Sequence, residues 1–125
     1  MEPKKILVVE DEKFLAHLLK SRLEKEGFKP VVARDGEEAL NLLREPGASF
    51  DLILLDIILP KMSGFEFMEE ASKDPQIKFP PVIIVSNLGQ TEDISRGKQL
   101  GAADYFVKAQ VSIDDLVQRV KNFLK

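Results

Sequence analysis

Four stretches of this chain end an apolar run on a residue able to do chemistry. Leu52-Ile53-Leu54-Leu55 runs into Asp56, Ile6-Leu7-Val8-Val9 into Glu10-Asp11-Glu12, Val82-Ile83-Ile84-Val85 into Ser86, and Ala103 to Val107 into Lys108. Carboxylates gathered at close range repel one another and shift their pKa values upward unless a cation neutralises them. A hard divalent ion suits such oxygen ligands, and Mg²⁺ typically takes one or two carboxylates together with waters and phosphate oxygens. The Lys108 ammonium and the Ser86 hydroxyl could then hold the remaining oxygens of a tetrahedral anion. Phosphoryl transfer needs mainly positioning and charge neutralisation, and a carboxylate can itself be the nucleophile that forms an acyl phosphate. Asp56, alone at the end of its run, is the best candidate for that role.

These groups meet only if the elements carry them to one place. Leu52 to Leu55 shows no alternation, as expected of a strand buried on both faces at the centre of a parallel sheet. Lys4 to Val9 reads as the first strand and is followed by a helix to Glu26 that stops at Gly27, a C′ glycine. Phe28 to Ala33 reads as a second strand, with Pro30 pointing to a sheet edge. Asp35-Gly36 turns into a helix ended by Pro46-Gly47, and Ser63 is the N-cap of a helix from Phe65 to Ala71. Val82 to Val85 is a second fully apolar strand. A weaker helix, loosened by Gly97, starts at Gln90 or Thr91, and Ala103 to Val107 is the fifth strand. Ser112-Ile113-Asp114-Asp115 opens a last helix as a capping box, with Leu116, Val117, Val120, Phe123 and Leu124 on its apolar face. Five strands alternating with five helices predict a parallel sheet covered on both faces. Right-handed crossovers then bring Glu10, Asp11, Asp56, Ser86 and Lys108 to one sheet edge, where open α/β sheets bind ligands.

At 125 residues, with 44% hydrophobic and 31% charged residues, the chain predicts a single globular domain spanning 1–125. Its net charge of −3 argues against a nucleic-acid or anionic-membrane surface. No apolar run is long enough to span a membrane, and Met1-Glu2-Pro3-Lys4-Lys5 is no signal peptide. The absence of cysteine excludes disulfides and thiolate metal sites and fits a cytoplasmic home.

The motifs Val9-Glu10-Asp11-Glu12, Leu55-Asp56 with Leu59-Pro60-Lys61-Met62-Ser63-Gly64, Val85-Ser86, and Tyr105-Phe106-Val107-Lys108 occur in order, each at a strand end. Taken together they resemble the response-regulator receiver domain of two-component signalling over essentially the whole chain. The resemblance implies a doubly wound, flavodoxin-like α/β fold with strand order 2-1-3-4-5. It implies that Asp56 takes a phosphoryl group from a sensor histidine kinase or phosphotransfer protein. Asp11, Asp56 and the Ile58 backbone carbonyl would be Mg²⁺ ligands, with Glu10 acting through a bound water. Lys108 would pair first with the acceptor and then with the phosphoryl group. Ser86 and Tyr105 would be the switch pair, and the fourth helix, fifth strand and fifth helix the output surface for a downstream protein target. Leu15 and Leu18, on the first helix, would meet the kinase. No enzyme activity is implied beyond the domain's own phosphoryl transfer and slow self-dephosphorylation.

The sequence departs from the family pattern at several places. Lys108 precedes Ala109 where the family usually has a proline in a cis peptide. A cis bond before alanine costs about 3 kcal/mol, which favours a trans bond and an altered loop. Asn87 stands where a smaller residue is usual and narrows access to the acceptor. Ile58 and Leu88 are apolar at positions that in the family influence attack of water on the acyl phosphate, and neither can orient a water. Glu10 replaces the commoner aspartate. Two other readings compete: a phosphate-independent binding module that keeps the fold, and a Mg²⁺-dependent phosphohydrolase. The latter commonly has a second acid two residues after its aspartyl nucleophile, where this chain has Ile58. Nucleotide binding through a Gly-rich loop after the first strand is disfavoured, since none is there. The chain ends just after its fifth helix, which predicts either a stand-alone receiver or a piece of a longer regulator. His17, the sole histidine, is expected to face solvent.

Overall fold

The computed structural model describes residues 2–125; Met1, the first residue of the stretch read for a leader, lies outside the described residues. Five parallel strands, β1 (Lys5–Val9), β2 (Lys29–Ala33), β3 (Leu52–Leu55), β4 (Val82–Ser86) and β5 (Asp104–Val107), pair in the order β2-β1-β3-β4-β5. Between and after them run α1 (Lys13–Lys25), α2 (Gly36–Arg44), α3 (Gly64–Lys73), α4 (Thr91–Gln99) and α5 (Ile113–Phe123), with a short 3-10 turn at Lys108–Gln110. The doubly wound α/β expectation and its strand order are thus met. Among the described residues no helix is long and apolar enough to cross a membrane.

The alternation of side chains along a strand divides the core in two. Leu7, Val9, Ile53, Leu55 and Ile84 point to one face and pack with Ala39, Leu40 and Leu43 of α2 and with Phe65, Phe67, Met68 and Ala71 of α3. Ile6, Val8, Leu52, Leu54, Ile83 and Val85 point to the other and pack with Leu19 and Leu23 of α1 and Leu116 and Val120 of α5. Every residue of β3 is buried, which is why its sequence shows no alternation. Burial of α1 is narrower than its apolar content. Ala16, Leu19 and Leu23 are buried and Leu15 and Leu18 half-buried, while Phe14 is 74% exposed. On α5 the predicted face is buried through Val120, but Phe123 projects into solvent.

Caps and turns account for the element ends. The Asp35 carboxylate accepts from the Glu38 amide at 2.8 Å, and the Ser63 hydroxyl accepts from the Glu66 amide at 3.2 Å. Ser112 and Asp115 form a reciprocal capping box, and Gly27 closes α1 at φ 89°. Gly97 has a packing reason rather than a loosening one. A Cβ there would lie 2.8 Å from Ile84 Cδ1 and 3.0 Å from Tyr105 Cδ2, so the missing side chain is what lets α4 settle on the sheet. No peptide bond among the described residues is cis, so Lys108–Ala109 is trans and the chain turns through its short 3-10 segment.

Gly64 fixes the loop after β3 to the start of α3. A Cβ at this position would strike the Asp56 carbonyl and stand 2.8 Å from Ile57 Cα, and backbone cannot yield as a side-chain tip can. Gly64→Ala is therefore expected to destabilise the fold by about 1–3 kcal/mol, read as a lower urea midpoint with an unchanged slope.

Candidate functional site

Parallel pairing puts the ends of β1, β3, β4 and β5 on one edge, and the backbone beyond them is held there. The Glu10 amide donates to the Ala33 carbonyl at 2.9 Å, and the Asp56 amide donates to the Val9 carbonyl at 3.0 Å. Glu10, Asp11 and Asp56 consequently present carboxylate oxygens that lie within 4.8 Å of one another. Glu10 and Asp56 are buried, and Asp11 is exposed.

Lys108 reaches back from the end of β5 into this cluster. Its ammonium is 2.7 Å from Glu10 Oε1 and 2.8 Å from Asp56 Oδ2, and only 17% of its side chain is exposed. The remaining oxygens are also engaged. Glu10 Oε2 accepts from the Glu12 amide at 3.1 Å, and Asp56 Oδ1 accepts from the Ile58 amide at 3.2 Å. Burial is the main reason that the Glu10 carboxyl is pushed above its ordinary value, with the Asp56 charge adding to it and Lys108 and the Glu12 amide opposing. Burial also works against the Lys108 charge, but the hydrogen bonds and charges of Asp56 and Glu10 outweigh it and hold the ammonium above its ordinary pKa.

Ser86 is fully buried at the end of β4, and its hydroxyl accepts from the Leu88 amide at 3.3 Å. Tyr105 lies half-buried on β5 and donates its hydroxyl to the Leu88 carbonyl. Burial, then the charges of Asp93 and Asp56, push the Tyr105 phenol up. Ile58 is 56% exposed beside Asp56, Leu88 is half-buried, and Asn87 is exposed. Leu15 lines an apolar groove of about 550 Å³ between α1 and α5 together with Leu19, Ala109, Ile113 and Leu116. Leu18 is half-buried on the same helix, and His17 is exposed.

Three features escape a reading of strand ends. Lys108 bridges two carboxylates rather than one, because Glu10 turns inward; nothing in the run Glu10-Asp11-Glu12 marks which acid does so. Leu88 is bonded at both ends, by its amide to Ser86 and its carbonyl to Tyr105. Lys61, at φ 68°, sits 3.7 Å from the Asp35 carboxylate and ties the loop after β3 to the start of α2. The Asp35-Gly36-Glu37-Glu38 run was the available signal for that buried capping acid.

Removing the Lys108 charge leaves two buried carboxylates without their counter-ion. Lys108→Met is expected to cost up to about 3 kcal/mol at pH 7. Glu10 then loses the partner that lowered its pKa, so its folded-state value climbs further above its ordinary 4.5. A raised carboxyl pKa means that the folded state takes up the proton first, so the deficit narrows as pH falls through the raised value towards 4.5. Urea unfolding of both proteins at pH 7 and at mildly acidic pH measures this.

The model of the response regulator receiver domain matches residues 6–121. The phosphate regulon transcriptional regulatory protein PhoB of Escherichia coli (strain K12) is 39% identical over 122 residues, covering 98% of this chain and 52% of its own length. The transcriptional regulatory protein CpxR of the same organism is 40% identical over 121 residues, covering 97% and 49%. The chain thus spans about half the length of these curated relatives. Among solved structures, a CheY-like receiver domain protein from Methanospirillum hungatei JF-1 superposes with TM-score 0.86 at 31% identity, covering 98% of this chain and 94% of that one. The phosphorylated cyanobacterial phytochrome response regulator RcpA superposes with TM-score 0.80 at 37% identity, covering 97% and 91%. These relatives correct one expectation, that the net charge of −3 excludes a nucleic-acid partner. PhoB and CpxR are by name transcriptional regulators. A charge summed over about half their length describes the surface of that portion alone. With the family match, the relatives and the fold in agreement, this chain belongs to the response-regulator receiver domains, the signalling modules of two-component systems.

Proposed function

We propose that residues 1–125 act as one receiver domain that accepts a phosphoryl group on Asp56 from a sensor histidine kinase or a phosphotransfer protein. The observation that carries this is the Lys108 ammonium held 2.8 Å from Asp56 Oδ2 inside a cluster of three carboxylates. Three carboxylate groups gather there, a set of oxygen ligands that fits a hard divalent cation. Asp11, Asp56 and the Ile58 backbone carbonyl would hold Mg²⁺, with Glu10 acting through a water. When bound, the ion would supply charge neutralisation for the incoming dianion.

Asp56 attacks phosphorus, the bond from phosphorus to the donor's imidazole nitrogen breaks, and an acyl phosphate forms on Asp56. Lys108 then exchanges its Asp56 contact for a phosphoryl oxygen, keeping the ammonium charge beside the transferred group. Ser86 moves towards the remaining oxygens. Because Leu88 is bonded to Ser86 by its amide and to Tyr105 by its carbonyl, that movement releases Tyr105. The surface of α4, β5 and α5 changes with it, and a downstream protein target reads the change. Leu15, in the groove between α1 and α5, and Leu18 on the same helix are the candidate contacts for the phosphodonor protein. The domain catalyses nothing beyond its own phosphorylation and dephosphorylation.

Intact mass after incubation with acetyl phosphate tests the acceptor. One phosphoryl group is expected, dependent on Mg²⁺ and absent in Asp56→Ala. No addition would favour a phosphate-independent binding module, which a failure to bind Mg²⁺ would support. Once phosphorylated, the protein should lose the group slowly, since neither Ile58 nor Leu88 can orient a water. An Ile58→Asn, Leu88→Glu variant should lose it several-fold faster in the same mass assay; an unchanged rate would sink that assignment.

A further inference from the structure

Beside the acidic cluster, on the flank of α1 that faces β2, lies a second cleft of about 330 Å³. Lys13, His17 and Lys20 line it from α1, and Arg34 lines it from the end of β2. The spacing of four and then three residues places the three α1 side chains in one stripe. All four are exposed, and among the described residues Lys13, Lys20 and Arg34 have no carboxylate within ion-pair distance. Two acids, Glu10 and Asp11, also line the cleft. Both Glu10 oxygens are engaged, one by Lys108 and the other by the Glu12 amide, so Asp11 is the one acid left to oppose the cations. On a chain with more acids than bases, 21 against 18, unpaired cations collected on one cleft are a local reversal of charge.

We propose that this cleft binds a phosphoanhydride, a small ligand with two linked phosphates, alongside the Asp56 site. Cations lining one concave surface focus their field on it and concentrate anions there. Lys13 and Lys20 are about 10 Å apart along the helix axis, so their long side chains approach a ligand lying between them from two ends. Two linked phosphates offer each lysine its own phosphoryl oxygens and carry more charge than one phosphate, and Arg34 can grip the ligand bidentately from the opposite wall. The proposal goes beyond the phosphoryl-transfer reading and does not need the Asp56 acceptor.

The sole histidine of the chain lies in the cleft, so its imidazole proton resonances report on this site alone. Pyrophosphate and orthophosphate serve as probes, titrated separately with a chelator present to exclude divalent ions. Pyrophosphate should shift the His17 resonances saturably, at several-fold lower concentration than orthophosphate, and with an affinity that falls as salt rises. Arg34→Gln and a Lys13→Gln, Lys20→Gln double variant should each weaken binding several-fold, while Asp56→Ala should bind as wild type does. No saturable shift, equal response to both probes, or wild-type affinity in the Arg34 or lysine variants would overturn the proposal. Circular dichroism and urea unfolding confirm that the variants are folded, so a lost shift reads as lost binding.

Discussion

The rest of the molecule depends on the Lys108 ammonium lying between Glu10 and Asp56. Parallel pairing of β1 and β3 leaves no choice about where those acids go, and two carboxylates removed from water at that distance oppose folding. A cation from β5, across β4 from Asp56, neutralises them at 2.7 and 2.8 Å. The strands on both sides of the site are thereby tied by charge as well as by hydrogen bonds. The same arrangement leaves the site responsive, since a group that supplies or removes charge at Asp56 changes what Lys108 holds.

The elements around the site are packed and paired closely. Gly64 brings the start of α3 against the backbone of Asp56 and Ile57 with no room to spare. Gly97 brings α4 against Ile84 and the Tyr105 ring. Arg96 of α4 stacks 4.7 Å above the Phe65 ring and pairs with Glu69 at 3.2 Å, so α3 and α4 are also joined to each other. Close packing of this kind moves in steps instead of deforming smoothly.

Much of this was legible in the chain because each strand is short, apolar and followed at once by its chemical residue. The run Leu52 to Leu55 declared a central strand, Pro30 an edge, and Ser63 and Ser112 their caps, since each is a local rule that tertiary context did not override. The trans bond at Lys108–Ala109 is the isomer that the cost of a cis bond favoured without deciding it. What could not be read were choices made in three dimensions. The inward turn of Glu10, the double bonding of Leu88 and the close approach at Gly97 depend on neighbours distant in sequence. The exposure of Phe14 and Phe123 shows the converse limit, because helical periodicity marks an apolar face but not how much of it the sheet has room to cover. Net charge was the weakest guide, for it describes the stretch that is counted and not the partners of a protein related to ones twice as long.

Pro30 has a consequence for how the molecule behaves among its neighbours. The Lys29 amide donates inward to Lys4 at 2.8 Å, so the two-residue period of a strand turns position 30 outward, to the open side of β2. Proline there removes a donor from the free rim of the sheet and takes nothing from the pairing with β1. A strand from another molecule would find an incomplete ladder at that rim, beside the exposed charge of Lys29. The edge is blunted against aggregation by a residue whose ring is itself buried.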